Sequence, residues 1–286
     1  MKPTDLAQAL LVITIWGFNF VAIKLGTEHL PPLILTAVRF LLVGLLIVPF
    51  KPLPRERWRG VVALSVVLGV AHFGVLILGI SGLDVASAAI VLQLSVPFSA
   101  AVAAIANGEK LGAAGAAGMA LAMGGVALIA GEPHHPDPTH LGLVVFAAAA
   151  WAVSNLIVKR IGKTDFLALN GWVSLLAAPQ LLALSLCFES GQASALGHAG
   201  WVGWGSMIYM VVLASLVAYT VWYRLIERLD LNRVVPLTLL NPVIGIMAGA
   251  LLLGDPLGWR KILGAIVTLT GVFIVSMRRP EREVAP

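Results

Sequence analysis

The stretch Gly112-Ala-Ala-Gly-Ala-Ala-Gly118-Met-Ala-Leu-Ala-Met-Gly-Gly125 spaces its marked glycines as Gly-x5-Gly-x6-Gly. The same spacing returns in Gly258-Trp-Arg-Lys-Ile-Leu-Gly264-Ala-Ile-Val-Thr-Leu-Thr-Gly271. A second echo sets Trp16, Asn19 and Lys24 against Trp151, Asn155 and Lys159, with eight residues from Trp to Lys in both. Each copy contains about five apolar spans. Five is odd, so the second copy must thread a bilayer in the opposite sense to the first. Two inverted halves around a central site are a common build of secondary transporters.

Composition supports a membrane setting. The chain has 286 residues, 59% hydrophobic and 12% charged, with a mean hydropathy of +0.95. Soluble domains carry about 25% charge, so this chain could not cover a water-facing surface. No polar stretch is long enough for a soluble domain. The apolar start at Leu6 runs into Lys24 without a small-residue cleavage site, which reads as a first membrane helix rather than a signal peptide. The lone Cys187 lies in an apolar run and reads as a small buried hydrophobe.

A helix needs about 20 mainly apolar residues to cross about 30 Å of hydrocarbon. Reading between polar breaks predicts spans at 5–25, 32–50, 60–81, 84–106, 111–131, 139–161, 165–187, 201–226, 231–253 and 257–278. The breaks carry turn chemistry, such as Pro31-Pro32, Asn107-Gly108 and Asp255-Pro256. The fold class is therefore an all-α polytopic membrane protein of ten transmembrane helices, arranged as two inverted five-helix repeats. Residues 1–131 form the first repeat, 139–279 the second, and 280–286 a cytoplasmic tail.

With the N-terminus in the cytoplasm, fifteen of the nineteen Lys and Arg residues fall on the inner side. Lys24, Arg260 and Lys261 fall outside, and Arg39 lies within a span. Basic residues in short loops orient helices, so both termini are predicted cytoplasmic, in the inner (plasma) membrane. The same placement explains the net charge of +5 without a nucleic-acid partner. Snorkelling to the outer interface is the expectation for Arg260 and Lys261.

Together, several motifs resemble the EamA-like branch of the drug/metabolite transporter superfamily. They are Trp16-Gly-Phe-Asn19-Phe-Val-Ala-Ile-Lys24, Pro32-x6-Arg39-Phe, Ser95-Val-Pro97 with Glu109, and Asn241-Pro242 with Gly254-Asp255-Pro256. The second copy departs from the pattern, with Asp255 where the family often has Glu and Asn155 one residue late. The resemblance implies ten helices enclosing a central cavity, with the third, fourth, eighth and ninth beside the first, second, sixth and seventh. The fifth and tenth helices would pack at the edge. It also implies exporters or facilitators of small metabolites, amino acids including aromatic ones being the closest match. Purines, sugars and phosphorylated solutes are the alternatives, the last disfavoured because only Arg39 lies deep.

An ionisable group at membrane depth is by default a functional hypothesis. Arg39 lies about seven residues, or roughly 10 Å, into its span. It either snorkels or caps carbonyls, or it faces a vestibule and meets a substrate carboxylate. His72, beside Phe73, either makes an interhelical hydrogen bond or contacts substrate or a proton. Asn19, Gln93, Ser95, Asn155 and Asn241 are uncharged polar groups in spans. Interhelical hydrogen bonds among such groups average only about 0.6 kcal/mol, which tilts the reading toward a cavity. Pro97 and Pro242 each remove the amide that would bond the carbonyl four residues earlier, making them candidate hinges. Trp16, Trp151, Trp172, Tyr219, Trp222 and Tyr223 offer aromatic surface, whereas Trp58, Trp201, Trp204 and Trp259 read as interface anchors. The loop histidines His134, His135 and His140 read as a polar turn, and neither metal nor cofactor is expected.

No Asp or Glu lies mid-span, so proton coupling through a carboxylate is not expected. A facilitative carrier is favoured, with His72 as a weaker proton-linked option. A membrane-embedded enzyme would need acids, a metal cluster or an activated nucleophile at one depth, and the chain has no HExxH, G-x-S-x-G or P-loop. The implied partners are a small-molecule substrate and the lipid bilayer, and a monomer suffices.

Overall fold

The computed structural model describes residues 2–53, 55–108, 112–131, 137–162, 164–229 and 235–277. Glu109, His134, His135 and the 280–286 tail therefore lie outside the described residues, as do Lys110, Lys163, Arg233, Arg278, Arg279 and Arg282 of the charge count. Nine described helices are long and apolar enough to cross a membrane. They are α1 (Pro3–His29), α2 (Pro32–Phe50), α3 (Trp58–Ser81), α4 (Val85–Ala106), α5 (Gly112–Ala130), α6 (Pro138–Ile161), α7 (Phe166–Phe188), α8 (Gly200–Trp222) and α10 (Trp259–Ser276). The shorter apolar α9 (Leu237–Leu253) completes the second set of five.

Local chemistry marks the ends. Asp84, Asp137 and Asp165 cap α4, α6 and α7 by accepting from Ser87, Thr139 and Leu167 amides. Pro3, Pro32 and Pro138 open helices, where a missing amide costs nothing. Gly108 and Gly254 follow α4 and α9 with φ of 68° and 70°, a left-handed turn that glycine adopts without strain. The first helix runs past its predicted end at 25 to His29, because Lys24 is satisfied there, its Nζ donating to the Ser81 carbonyl at 2.9 Å.

The contacts between helices carry the symmetry. α1 packs on α8 and α9, α6 packs on α3 and α4, α2 pairs with α7, and α5 pairs with α10. Shifting each helix number by five maps this set onto itself. A Cβ placed on Gly118 would meet the Gly271 carbonyl at 2.8 Å, and one on Gly125 would meet the Gly264 carbonyl at 2.6 Å. Rising along α5 therefore means descending along α10. These are equivalent helices of the two copies, so the copies are inverted. The repeated glycines that open the sequence face each other, and their missing side chains let the backbones touch.

The outer surface of the bundle is apolar, as lipid requires: Leu45, Leu251, Ile266 and Phe273 are all more than half exposed. Cys187 is a correction. It is exposed rather than buried, on the same stretch of α7 as Leu186 and Phe188. Lys261 is a second. Lys261 does not snorkel; it is 3% exposed and pairs with Asp84 at 3.0 Å, while its Nζ also donates to the Pro256 carbonyl. Arg260 donates to the Gly131 carbonyl. A neighbouring carboxylate and a helix-end carbonyl supply the solvation that lipid withholds.

The α2–α7 pair is tied at both ends. Glu189, after α7, accepts from the Leu33 and Ile34 amides at the start of α2, at 2.7 and 3.1 Å. Asp165, before α7, pairs with Lys51 beyond the other end of α2 at 2.6 Å. Carboxylates at helix N-termini satisfy amides that have no partner within the helix.

Candidate functional site

In α3 and α8 the regular helical bonding gives way to wider turns, over Ser65–Gly74 and Tyr209–Val217. These are equivalent helices of the two copies. The Ser215 hydroxyl donates to the Met210 carbonyl five residues back at 2.8 Å. Such a turn spares carbonyls for other partners. The Ala214 carbonyl accepts from Trp16 Nε1 at 3.3 Å, and the Ser215 carbonyl accepts from Asn170 Nδ2 at 3.4 Å. A short tight turn at Leu92–Leu94 in α4, and one at Val235–Leu239 leading into α9, precede Pro97 and Pro242. The carbonyls these prolines leave without their usual amide belong to Gln93 and Thr238.

All four irregular segments border one cavity of about 540 Å³. Its wall includes Trp16, Asn19, Arg39, His72, Phe73, Gln93, Ser95, Trp151, Asn155, Tyr219, Trp222 and Asn241. Twelve of the fourteen polar and aromatic positions singled out in the sequence thus surround a single space, drawn from α1, α2, α3, α4, α6, α8 and α9. A smaller cavity of about 220 Å³ adjoins it, sharing Arg39, Phe73, Trp151, Asn155 and Tyr219. Trp172 is elsewhere, its Nε1 donating to the Lys51 carbonyl at 3.0 Å. The side chain of Tyr223 lies outside the described residues.

His72 is 3% exposed, and its Nδ1 lies 2.8 Å from the Ala147 carbonyl on α6. A nitrogen facing a carbonyl must carry the hydrogen, which leaves Nε2 as the acceptor of the neutral ring. The imidazole meets Phe73 edge-on and Trp151 at a tilt, with centroids at 4.6 and 4.8 Å. The interhelical bond expected of His72 is therefore present, and the residue also borders the cavity. Trp16 makes the other aromatic corner, with Tyr219 at 5.3 Å and Trp222 at 5.4 Å.

Arg39 neither snorkels nor caps a broken helix. It is 2% exposed and donates through Nε and Nη2 to the Ser215 hydroxyl at 3.4 and 3.1 Å. Its guanidinium also lies 5.3 Å from the Phe73 ring centre and 5.8 Å from that of Phe40. Among the described residues, Arg39 Nη1 and the side-chain oxygens of Asn19 and Asn241 are buried without a hydrogen-bond partner. Asn155 donates to the Ser99 hydroxyl at 3.3 Å.

Sequence reading missed Ser215, Asn170, Ser99 and Thr238. A serine in a helix usually bonds its own backbone, so only the fold distinguishes Ser215 from the other serines. Among the described residues, no group of three or more His, Cys, Asp or Glu could hold a metal ion. His140 instead pairs with Asp137 at 2.6 Å.

Comparison with known proteins agrees with this architecture. The model of the EamA-like transporter family matches residues 6–131 and 139–277. The chain is 32% identical to a protein of Escherichia coli (strain K12) named "Probable amino-acid metabolite efflux pump", over 96% of this chain and 95% of that one. It is 31% identical to a Salmonella typhimurium protein of the same name, with the same coverage. A solved structure shares the fold at a TM-score of 0.64 and 16% identity, over 97% of this chain and 98% of the other. Two matched segments cover nearly all of a multi-pass helical chain built as two inverted copies: the protein belongs to the EamA-like transporter family.

Proposed function

We propose that this transporter moves small amphipathic metabolites, foremost amino acids including aromatic ones, out of the cell by alternating access. The observation that carries the reading is the cavity between the two copies, with aromatic walls and a few convergent polar groups. An apolar space of that kind suits a ligand with an apolar body and a polar end. The amide oxygens of Asn19 and Asn241 are acceptors for an ammonium group. Relatives named as amino-acid metabolite efflux pumps point the same way.

Alternating access is supported by the placement of irregular helix. Wide turns in α3 and α8, and proline-broken turns in α4 and α9, occupy equivalent places in the two copies. Broken helices at the repeat interface are where such carriers bind and bend, with Pro97 and Pro242 as the candidate hinges. We further place both termini in the cytoplasm, within the inner (plasma) membrane. The charge bias of the short loops supports that orientation. The cavity then opens inward. α8 borders it only from Ala214 onward and α9 only at Thr238 and Asn241, both on the side of the N-terminus. The opposite side is closed by the Asp84–Lys261 pair and the Lys24–Ser81 bond.

The test is counterflow in liposomes holding the purified protein, without ATP. Labelled phenylalanine or threonine should accumulate against its unlabelled counterpart. Strict ATP dependence, or movement of purines and sugars but no amino acid, would overturn the reading.

A further inference from the structure

Arg39 carries its positive charge deep within the bundle. It is 2% exposed, and among the described residues no carboxylate pairs with it. Its neighbours are one hydroxyl (Ser215), two aromatic faces (Phe40 and Phe73) and the phenol of Tyr219. Ser215 uses its own hydrogen on Met210, so it meets the guanidinium as a neutral acceptor only. Among the described residues, Nη1 has no hydrogen-bond partner. A buried charge in this condition is costly, and an anion beside it recovers much of that cost.

The position of Arg39 says where such an anion comes from. The side chain belongs to the wall of both cavities, between the aromatic corner of Trp16 and Trp222 on one side and Asn170 and Ser174 on the other. A guanidinium offers paired donors in a plane that matches a carboxylate. We propose that Arg39 is the specificity-determining residue of this carrier: its free Nη1, with Nη2, receives the carboxylate of the substrate. The recognised class is thereby a carboxylic acid with an apolar body, as opposed to an amine, an amide or a neutral heterocycle. Ser215 is a positioning residue, holding the guanidinium plane from the far side. This inference rests on the transport of amino acids proposed above and adds the group by which they are selected.

Competition in the same liposomes tests it. Unlabelled phenylalanine, phenylalaninamide and phenethylamine are set against labelled phenylalanine, and threonine against threoninamide in parallel. Loss of a charge-assisted hydrogen bond weakens binding by about 10- to 150-fold. The amide and amine should therefore compete that much more weakly than the acid in the unaltered protein. In Arg39→Gln the difference should fall to within about threefold. Ser215→Ala, a milder change should Arg39→Gln fail to fold, should raise KM for phenylalanine while leaving its maximal rate and the weak competition by phenylalaninamide unchanged.

Equal competition by acid, amide and amine in the unaltered protein overturns the inference and leaves amino-acid transport standing. Undiminished discrimination in Arg39→Gln overturns it as well. If neither phenylalanine nor threonine moves, the proposed function falls, and this inference with it.

Discussion

Replacing Gly271 with alanine adds one methyl group to a place where the backbones of α5 and α10 touch. The new Cβ would lie 2.4 Å from the Gly118 carbonyl oxygen and 2.5 Å from the Ala122 amide nitrogen. Ordinary contact begins at 3.4 Å, so the helices must part by about 1 Å, since neither backbone atom can rotate aside. A gap of that size forfeits about a quarter to a half of each facing dispersion contact. Overpacking of this kind costs about 1–3 kcal/mol, and roughly 2 kcal/mol is expected here. Adding Gly118→Ala should then cost less than it does alone, by about 1 kcal/mol, because the first methyl has already opened the crossing. Gly124→Ala is the control: it lies on α5 with Gly118, and its Cβ would meet nothing within 4 Å. Thermal unfolding in detergent, read as the folded fraction surviving on size exclusion, measures the four variants against the unaltered protein. Gly271→Ala melting with the unaltered protein, or Gly124→Ala losing as much, would refute the argument that these glycines serve close approach.

Three further outcomes are expected. Gln93→Leu should cut transport at least about tenfold with melting unchanged, whereas His72→Phe should lower both, since it also breaks the Ala147 bond, worth about 1 kcal/mol; parallel losses in both variants would return Gln93 to packing. Burial pushes the Asp255 carboxyl above its ordinary 3.8; the Ala86 amide opposes this and nearby Asp84 adds to it. The folded state then holds that proton more tightly than the unfolded chain does, so stability falls as pH rises from 3.8 through the folded value. Asp255→Asn should flatten that part of the curve of melting temperature against pH, and an unchanged slope assigns it to another group. Single cysteines replacing Glu56 and Ala193, in a Cys187→Ala background, should react with an impermeant thiol reagent from opposite sides of the membrane; labelling from one side would overturn the orientation.

Much of the fold was legible because a membrane helix answers to local rules. Each span satisfies its own backbone, so length and hydropathy alone mark out α1 to α8 and α10. The glycine spacing discloses the duplication, and the odd number of spans discloses the inversion, without any contact between helices. Asn19, His72 and Asn241 stood out for a related reason: polar groups are rare enough in apolar helices to be noticed one at a time. The predicted start of α9 at 231 is different, since residues 230–234 lie outside the described residues.

What the sequence by itself determined, then, was the set of elements, their count, their repeat and the roster of unusual polar residues. The tertiary structure decided which of those residues meet. Lys261 finds Asp84 across the whole chain, Ser215 rather than another serine receives Arg39, and Gly118 faces Gly271 rather than a third helix. Trp172 and Trp151 look alike in the sequence, yet one binds the Lys51 carbonyl and the other borders the cavity. The reason is physical. Hydropathy acts on each segment against the same lipid, whereas a hydrogen bond or a close backbone approach depends on the rotation and depth of two helices at once. Those are set only when all ten pack together.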